Sequence, residues 1–137
     1  MPTVVITYNE FADTEVEDDV LNTVGATIVR LSGLETPEHL AAARQADALM
    51  VSVQNVPASL MDTMPRCRIV SRVGTGLDAI DISAATARGI WVTNVPDYAV
   101  DEVSTQAITF LLALARRLPR MLASTRVSSG QSSAAST

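Results

Sequence analysis

The chain has 137 residues, and 47% of them are hydrophobic, which is enough for the core of about one domain. Its net charge is -5 and all ten basic residues are arginine, so the acidic balance argues against binding to nucleic acid, which requires a basic surface. A single cysteine excludes an internal disulfide, and no apolar run approaches the roughly 20 residues needed to cross a bilayer. Because no signal peptide is recognisable, a cytoplasmic protein that does not act at membranes is expected.

Short apolar segments rich in β-branched residues alternate with helical patterns along the first hundred residues. The segments predicted to be buried strands are 4–8, 27–31, 48–53, 68–73 and 90–94. The helical stretches between them are 13–24, 37–46, 58–64 and 82–88. Thr36 and Pro37 begin the second of these helices with a capping hydroxyl and a proline at the first position. This alternation predicts right-handed crossovers and a parallel sheet with helices on both faces.

The segment Gly74-Thr75-Gly76 follows the fourth predicted strand, at the sheet edge where α/β proteins bind ligands. Exposed backbone N–H groups at this position can bind an anion, although a tight strand-to-helix turn explains the same residues. As a dinucleotide fingerprint, the segment lacks a third glycine and an acidic residue about 20 positions further on. Arg72 either adds positive potential to the loop or pairs with a surface acid, and both interpretations stay open.

Other side chains that are capable of chemistry are interpreted as structural. Asp78 and Asp81 lie three residues apart at a helix start, which favours capping over acid–base catalysis. His39 is expected to face solvent, Cys67 to be an inert, partly buried thiol, and Trp91 to lie in the core. One histidine and one cysteine do not supply a zinc site of the usual spacing.

The last predicted element is one long helix over residues 101–123. Its apolar residues recur at a helical period, and acidic residues at its start and arginines near its end complement the helix dipole. Apolar side chains lie on more than one side of its middle turns, which predicts more than one contacting surface. Residues 124–137 are small and polar, and are expected to be disordered.

Three segments together resemble the D-isomer-specific 2-hydroxyacid dehydrogenases in residue type, order and spacing. They are RVGTGLDAID (72–81), ARGIWVTNVPDY (87–98) and DEVSTQAITFLLALARR (101–117). With the five strand–helix units, the resemblance implies an α/β fold with a flavodoxin-like five-stranded parallel sheet, forming a substrate-binding domain over residues 1–100. It further implies that the helix over residues 101–123 crosses toward a nicotinamide-binding domain. The family reaction is the NAD- or NADP-dependent interconversion of D-2-hydroxy acids and 2-keto acids.

The resemblance also assigns binding residues. In the family, the N–H groups of the glycine loop hold the substrate carboxylate. The substrate contacts that this implies are Val73, Gly74, Thr75, Gly76, Tyr98 and Ala99. Thr75 and Val103 are the implied contacts to the cofactor. Tyr98 is equally explained as an ordinary loop aromatic, and Val103 as plain core.

No catalytic residue is assigned in this chain. The family draws its arginine, glutamate, histidine and glycine-rich dinucleotide loop from the nicotinamide domain, and none of these motifs follows Arg120. His39 does not match that catalytic histidine. The chain is therefore expected to be the N-terminal part of a dehydrogenase, truncated relative to the family and inactive alone. Its expected partners are a small 2-hydroxy or 2-keto acid and a nicotinamide domain or a second copy.

The main alternative is a non-enzymatic flavodoxin-like module that binds a partner through the apolar face of residues 101–123. Two other classes of similar size do not match. A phospho-receiver domain requires an aspartate at the end of the third strand and a lysine, whereas this strand ends Ser52-Val53-Gln54 and lysine is absent. A flavin-binding flavodoxin requires a phosphate loop rich in Ser, Thr and Gly after the first strand, and YNEF at 8–11 is not one.

Overall fold

The computed structural model of the protein describes residues 1–7 and 14–132, with residues 126–132 described by their backbone. The segment at 8–11 lies outside the described residues. The chain divides into two compact units, Met1–Asp97 and Tyr98–Thr137.

Five parallel strands form one sheet in the first unit. They are β1 (Thr3–Ile6), β2 (Thr27–Arg30), β3 (Ala48–Val51), β4 (Ile69–Arg72) and β5 (Trp91–Thr93). Their order in the sheet is β2-β1-β3-β4-β5, and every neighbouring pair is parallel. This arrangement confirms the predicted α/β fold and the flavodoxin-like strand order. All five strands therefore end at the same edge, where ligands of such folds bind.

Four helices connect these strands. They are α1 (Glu15–Thr23), α2 (Pro37–Ala43), α3 (Ala58–Asp62) and α4 (Ile82–Ala87). The predicted start of α2 is confirmed, because the hydroxyl of Thr36 accepts a hydrogen bond from the N–H of His39 at 3.2 Å. At the end of α4, Gly89 has a φ of 67°, and a glycine supplies this left-handed conformation without steric cost.

The core covers both faces of the sheet. Val5 packs in a cluster with Leu49, Val51 and Val70, all with no solvent exposure. Its neighbours in β1 belong to a second cluster, which contains Val4, Ile6 and Ala26. Because successive side chains of a strand point to opposite faces, burial of all three β1 residues requires helices on both sides.

The prediction that Trp91 lies in the core is wrong. Its side chain is 74% exposed. Trp91 begins β5, which is an edge strand of only three residues and pairs on one side with β4. A β-branched and aromatic segment predicts a strand, but it does not predict whether that strand lies at the centre or at the edge of the sheet.

The second unit contains two helices where the sequence predicts one over residues 101–123. They are α5 (Val100–Ala115) and α6 (Leu118–Ser132). The chain turns at Arg117, whose φ is 53°. Pro119 accounts for the break, because it has no N–H to donate and its ring clashes with the carbonyl of the residue four positions earlier, Ala115. α6 occupies most of the 124–137 segment that was expected to be disordered, and residues 133–137 lie outside the described range.

Helix α5 has no buried residue. Phe110 is 61% exposed and Leu114 is 70% exposed, so its apolar side chains contact solvent. Val103 is 65% exposed, which rules out the interpretation of this residue as plain core. Across the described ranges, no helix combines the length and apolar character that crossing a membrane requires.

Candidate functional site

The loop Gly74-Thr75-Gly76 leaves β4 at the carboxyl edge of the sheet. The N–H of Val73 donates to the carbonyl of Val51 at 2.8 Å, which extends the β3–β4 ladder by one bond. The chain then turns at Gly74, whose φ is 147°. A side chain is strained in this conformation, so the sequence places a glycine where the backbone has to leave the strand.

The segment that follows β5 holds this loop through two hydrogen bonds. The N–H of Val95 donates to the carbonyl of Gly74 at 3.0 Å, and the side-chain amide of Asn94 donates to the carbonyl of Thr75 at 2.7 Å. Within the described part of the chain, the N–H groups of Thr75 and Gly76 have no acceptor. Thr75 is exposed and Gly76 is half-buried, so both peptide groups are within reach of a ligand.

The guanidinium of Arg72 lies against the same loop. Its Nε donates to the carbonyl of Ser52 at 3.0 Å. Its Nη1 is 2.7 Å from the point where a Cβ would stand on Gly74, and 3.6 Å from the corresponding point on Gly76. The ion pairs found among the described residues involve Arg30, Arg66 and Arg88, so Arg72 is not paired with a described carboxylate. A cation therefore lies beside two unpaired N–H groups.

The two aspartates after the loop have different roles. Asp81 is the N-cap of α4, and its Oδ1 accepts a hydrogen bond from the N–H of Ala84 at 2.8 Å. The capping prediction is confirmed for this residue. Asp78 lies in the turn before the helix, is exposed, and its carboxylate accepts no hydrogen bond from a described residue. It is therefore not a cap.

The remaining predicted site residues belong to the second unit. Tyr98 is 64% exposed, and Ala99 occupies the N-cap position of α5. The N–H of Val103 donates to the carbonyl of Ala99 at 2.9 Å, and Val103 lines an open apolar groove with Ala107 and Phe110. The roles of these residues in binding substrate or cofactor stay predictions.

The surroundings of three other side chains, a thiol, a carboxyl and an imidazole, change their pKa or their exposure. Burial raises the pKa of the Cys67 thiol, which agrees with its interpretation as inert. A hydrogen bond from the N–H of Thr3, together with Arg66, lowers the pKa of Asp47. The expectation that His39 faces solvent is only partly right, because its ring is half-buried and its Nδ1 lacks a partner among the described residues.

The described residues contain no group of three His, Cys, Asp or Glu side chains arranged to hold a metal ion. Asn94 and the carbonyl of Ser52 are the site components that sequence reasoning missed. A signal for Asn94 was present, because a polar residue directly after a parallel strand lies at the ligand-binding edge.

A family model described as "D-isomer specific 2-hydroxyacid dehydrogenase, catalytic domain" matches residues 5–128. The chain belongs to this family. Among known members, it is similar to the D-3-phosphoglycerate dehydrogenase of Mycobacterium tuberculosis, with 40% identity over 97 residues, which are 70% of this chain and 18% of that protein. It is also similar to the glyoxylate reductase of Thermococcus kodakarensis, with 45% identity over 76 residues, which are 55% of this chain and 23% of that protein. The match thus spans about a fifth of the length of these relatives.

The fold is also found in solved structures. The D-lactate dehydrogenase of Aquifex aeolicus, complexed with NAD and lactic acid, superposes with a TM-score of 0.75 at 22% identity. The superposition covers 90% of this chain and 37% of that protein, so this domain corresponds to a minor part of the larger enzyme. At this identity, the likeness establishes the fold alone.

The described residues do not fit a dinucleotide cradle. Such a cradle needs a glycine loop that opens directly into a helix, whose N-terminus faces the pyrophosphate. Here α4 begins at Ile82, well after Gly76, and contains only six residues. Between the two, Ile80 forms an isolated parallel bridge with Val56. The glycine loop therefore lacks the loop-to-helix geometry of a pyrophosphate cradle.

Proposed function

We propose that these 137 residues form the substrate-binding part of an NAD- or NADP-dependent oxidoreductase that interconverts D-2-hydroxy acids and 2-keto acids. The observation that carries this proposal is the pair of unpaired N–H groups at Thr75 and Gly76 beside the guanidinium of Arg72. Two donors and a cation suit the two oxygens and the charge of a carboxylate. Hydrogen bonds to a charged group contribute about 1.5–3 kcal/mol each.

In this proposal, Val73 and Gly74 shape the glycine loop, and further contacts are assigned to residues of the second unit. Tyr98 and Ala99 contact the substrate, while Thr75 and Val103 contact the nicotinamide side of the cofactor. These assignments rest on the family resemblance of the segments that contain them.

In the family reaction, NADH or NADPH supplies the hydride that reduces the 2-keto acid, and NAD or NADP accepts it when the hydroxy acid is oxidised. The main binding surface for this cofactor is not formed by the described residues. No described side chain at the glycine loop is assigned to acid–base catalysis. We therefore expect the purified 137-residue chain to show no oxidation of NADH or NADPH with any 2-keto acid. Turnover that scales with the concentration of this chain would contradict the proposal that it forms only the substrate-binding part of the enzyme.

A titration of the ¹⁵N-labelled chain with glycolate tests the carboxylate site. We expect the amide signals of Thr75 and Gly76 to shift with glycolate but not with glycolamide, which has the same shape and no charge. Replacing Arg72→Gln should weaken glycolate binding roughly tenfold or more, since a bond to a charged group is lost. Arg44→Gln removes an exposed arginine at the end of α2 and is the matched control. Equal shifts with glycolate and glycolamide would contradict the proposal.

A second candidate function, a non-enzymatic module that binds a partner protein, is favoured by the exposed apolar side chains of α5. Phe110, Leu111 and Leu114 are all more than half exposed, and an apolar patch of this kind is typical of a surface that another protein covers. A nicotinamide domain or a second copy of the chain are the candidate partners. Self-association in sedimentation velocity, together with no response of Thr75 and Gly76 to glycolate, would favour this function over the first.

A further inference from the structure

We infer that Asn94 is a positioning residue, which orients the peptide N–H groups of the glycine loop toward the substrate carboxylate. The inference rests on the proposed function, because it explains how Thr75 and Gly76 come to present their N–H groups. Asn94 itself acts through the loop and is not assigned a contact with the substrate.

The geometry of the peptide group fixes the directions of the two N–H groups. In a planar trans peptide, the carbonyl of one residue and the N–H of the next point in opposite directions. The direction of the Thr75 N–H is therefore fixed by the carbonyl of Gly74. In the same way, the direction of the Gly76 N–H is fixed by the carbonyl of Thr75.

Both carbonyls are held by the segment that follows β5. The backbone N–H of Val95 bonds the carbonyl of Gly74, and the side chain of Asn94 bonds the carbonyl of Thr75. Two adjacent residues thus hold two successive carbonyls toward the segment after β5. Both N–H groups consequently point away from the segment after β5, and successive backbone N–H groups of this kind can bind an anion.

The chemistry of the Thr75 carbonyl identifies the atom of Asn94 that bonds it. A carbonyl oxygen only accepts hydrogen bonds, so the atom of Asn94 that lies 2.7 Å from the carbonyl of Thr75 has to be its amide nitrogen. A residue without a donor cannot replace this bond. The bond from Val95 comes from the backbone and survives any substitution at position 94, so an Asn94 variant releases one of the two peptide groups selectively.

The test is a glycolate titration of the full ¹⁵N-labelled chain carrying Asn94→Ala, with Asn22→Ala as the matched control on α1. We expect the dissociation constant for glycolate to rise roughly three- to tenfold in Asn94→Ala, the range expected for one lost hydrogen bond, and to stay unchanged in Asn22→Ala. The affinity is measured on folded molecules, so a loss of global stability alone would not change it.

The outcomes separate the inference from the proposed function. If the unsubstituted chain shows no glycolate response at Thr75 and Gly76, the proposed function fails. If it responds and Asn94→Ala binds equally well, the positioning role fails while the proposed function stands. If Asn94→Ala does not fold, scalar coupling across the hydrogen bond between the Asn94 side-chain nitrogen and the Thr75 carbonyl carbon, measured in the unsubstituted chain, decides. If the unsubstituted chain binds glycolate but shows no such coupling, the inference is overturned.

Discussion

Asp78 and Asp81 allow the energetic value of one cap to be measured against a close neighbour. Asp81 bonds the N–H of Ala84 at the start of α4, whereas Asp78 accepts no described bond. We expect Asp81→Ala to lower the free energy of unfolding by about 1 kcal/mol, the typical value for an N-cap. Asp78→Ala should change it by less than about 0.5 kcal/mol. Urea unfolding of both variants checks this, and equal effects would show that the cap contributes nothing specific.

The two glycines of the glycine loop differ in the space around them. A methyl group at Gly74 would stand 2.7 Å from Arg72 Nη1 on a backbone with φ of 147°, whereas at Gly76 its nearest neighbour would be Asp78 Oδ2 at 3.4 Å. We expect Gly74→Ala to cost about 1–3 kcal/mol in unfolding free energy because the backbone is strained. Gly76→Ala should leave stability equal or raise it by up to about 1 kcal/mol. Thermal unfolding measures the stability of both variants. Equal stabilities would show that the loop relaxes around either methyl group and would contradict this prediction.

At the scale of elements, strand–helix alternation was sufficient to predict the sheet, because β-branched segments and helical periods are local signals. The break between α5 and α6 was not predicted, since the apolar period continues through Arg117 while Pro119 interrupts the hydrogen bonding. The position of Trp91 was also wrong. The flavodoxin-like order places β5 at the edge of the sheet, but the local pattern of β5 does not show that its first side chain is left exposed there.

In the candidate site, too, local signals were predictable from the sequence and tertiary contacts were not. Gly74-Thr75-Gly76 is contiguous, so the sequence alone identifies it as a candidate anion loop. Asn94 lies 19 positions beyond the Thr75 carbonyl that it bonds. Their contact requires β4 and β5 to be neighbours, which the flavodoxin-like order implies, but the order of strands does not reveal which side chain bonds the loop.

At the scale of the whole molecule, Asp47 links three segments that are distant in sequence. Its carboxylate accepts a hydrogen bond from the N–H of Thr3 at 2.7 Å and pairs with Arg66 at 2.7 Å, and its side chain is 26% exposed. These partners stabilise the ionised form and lower its pKa. Its contribution to stability is therefore fully present above the pKa of an unfolded aspartate, about 3.9, and is lost as the pH falls through the lower folded pKa.

We expect Asp47→Asn to be less stable than the unsubstituted protein at pH 7, and the difference to shrink progressively below about pH 4. Urea unfolding at a series of pH values measures it. Asp19→Asn, which removes an exposed carboxylate on α1, is the control and should show no comparable pH dependence. A difference between Asp47→Asn and the unsubstituted protein that persists at low pH would indicate lost packing in place of lost charge.

The exposed position of Trp91 has a spectroscopic consequence. It is the sole tryptophan of the chain and lies on the edge strand in contact with water. Intrinsic fluorescence of the native protein is therefore emitted from its surface, and soluble quenchers reach the indole before unfolding begins. A blue shift in emission would report that another surface has covered the β5 edge, so the protein carries its own optical sensor for association at that edge.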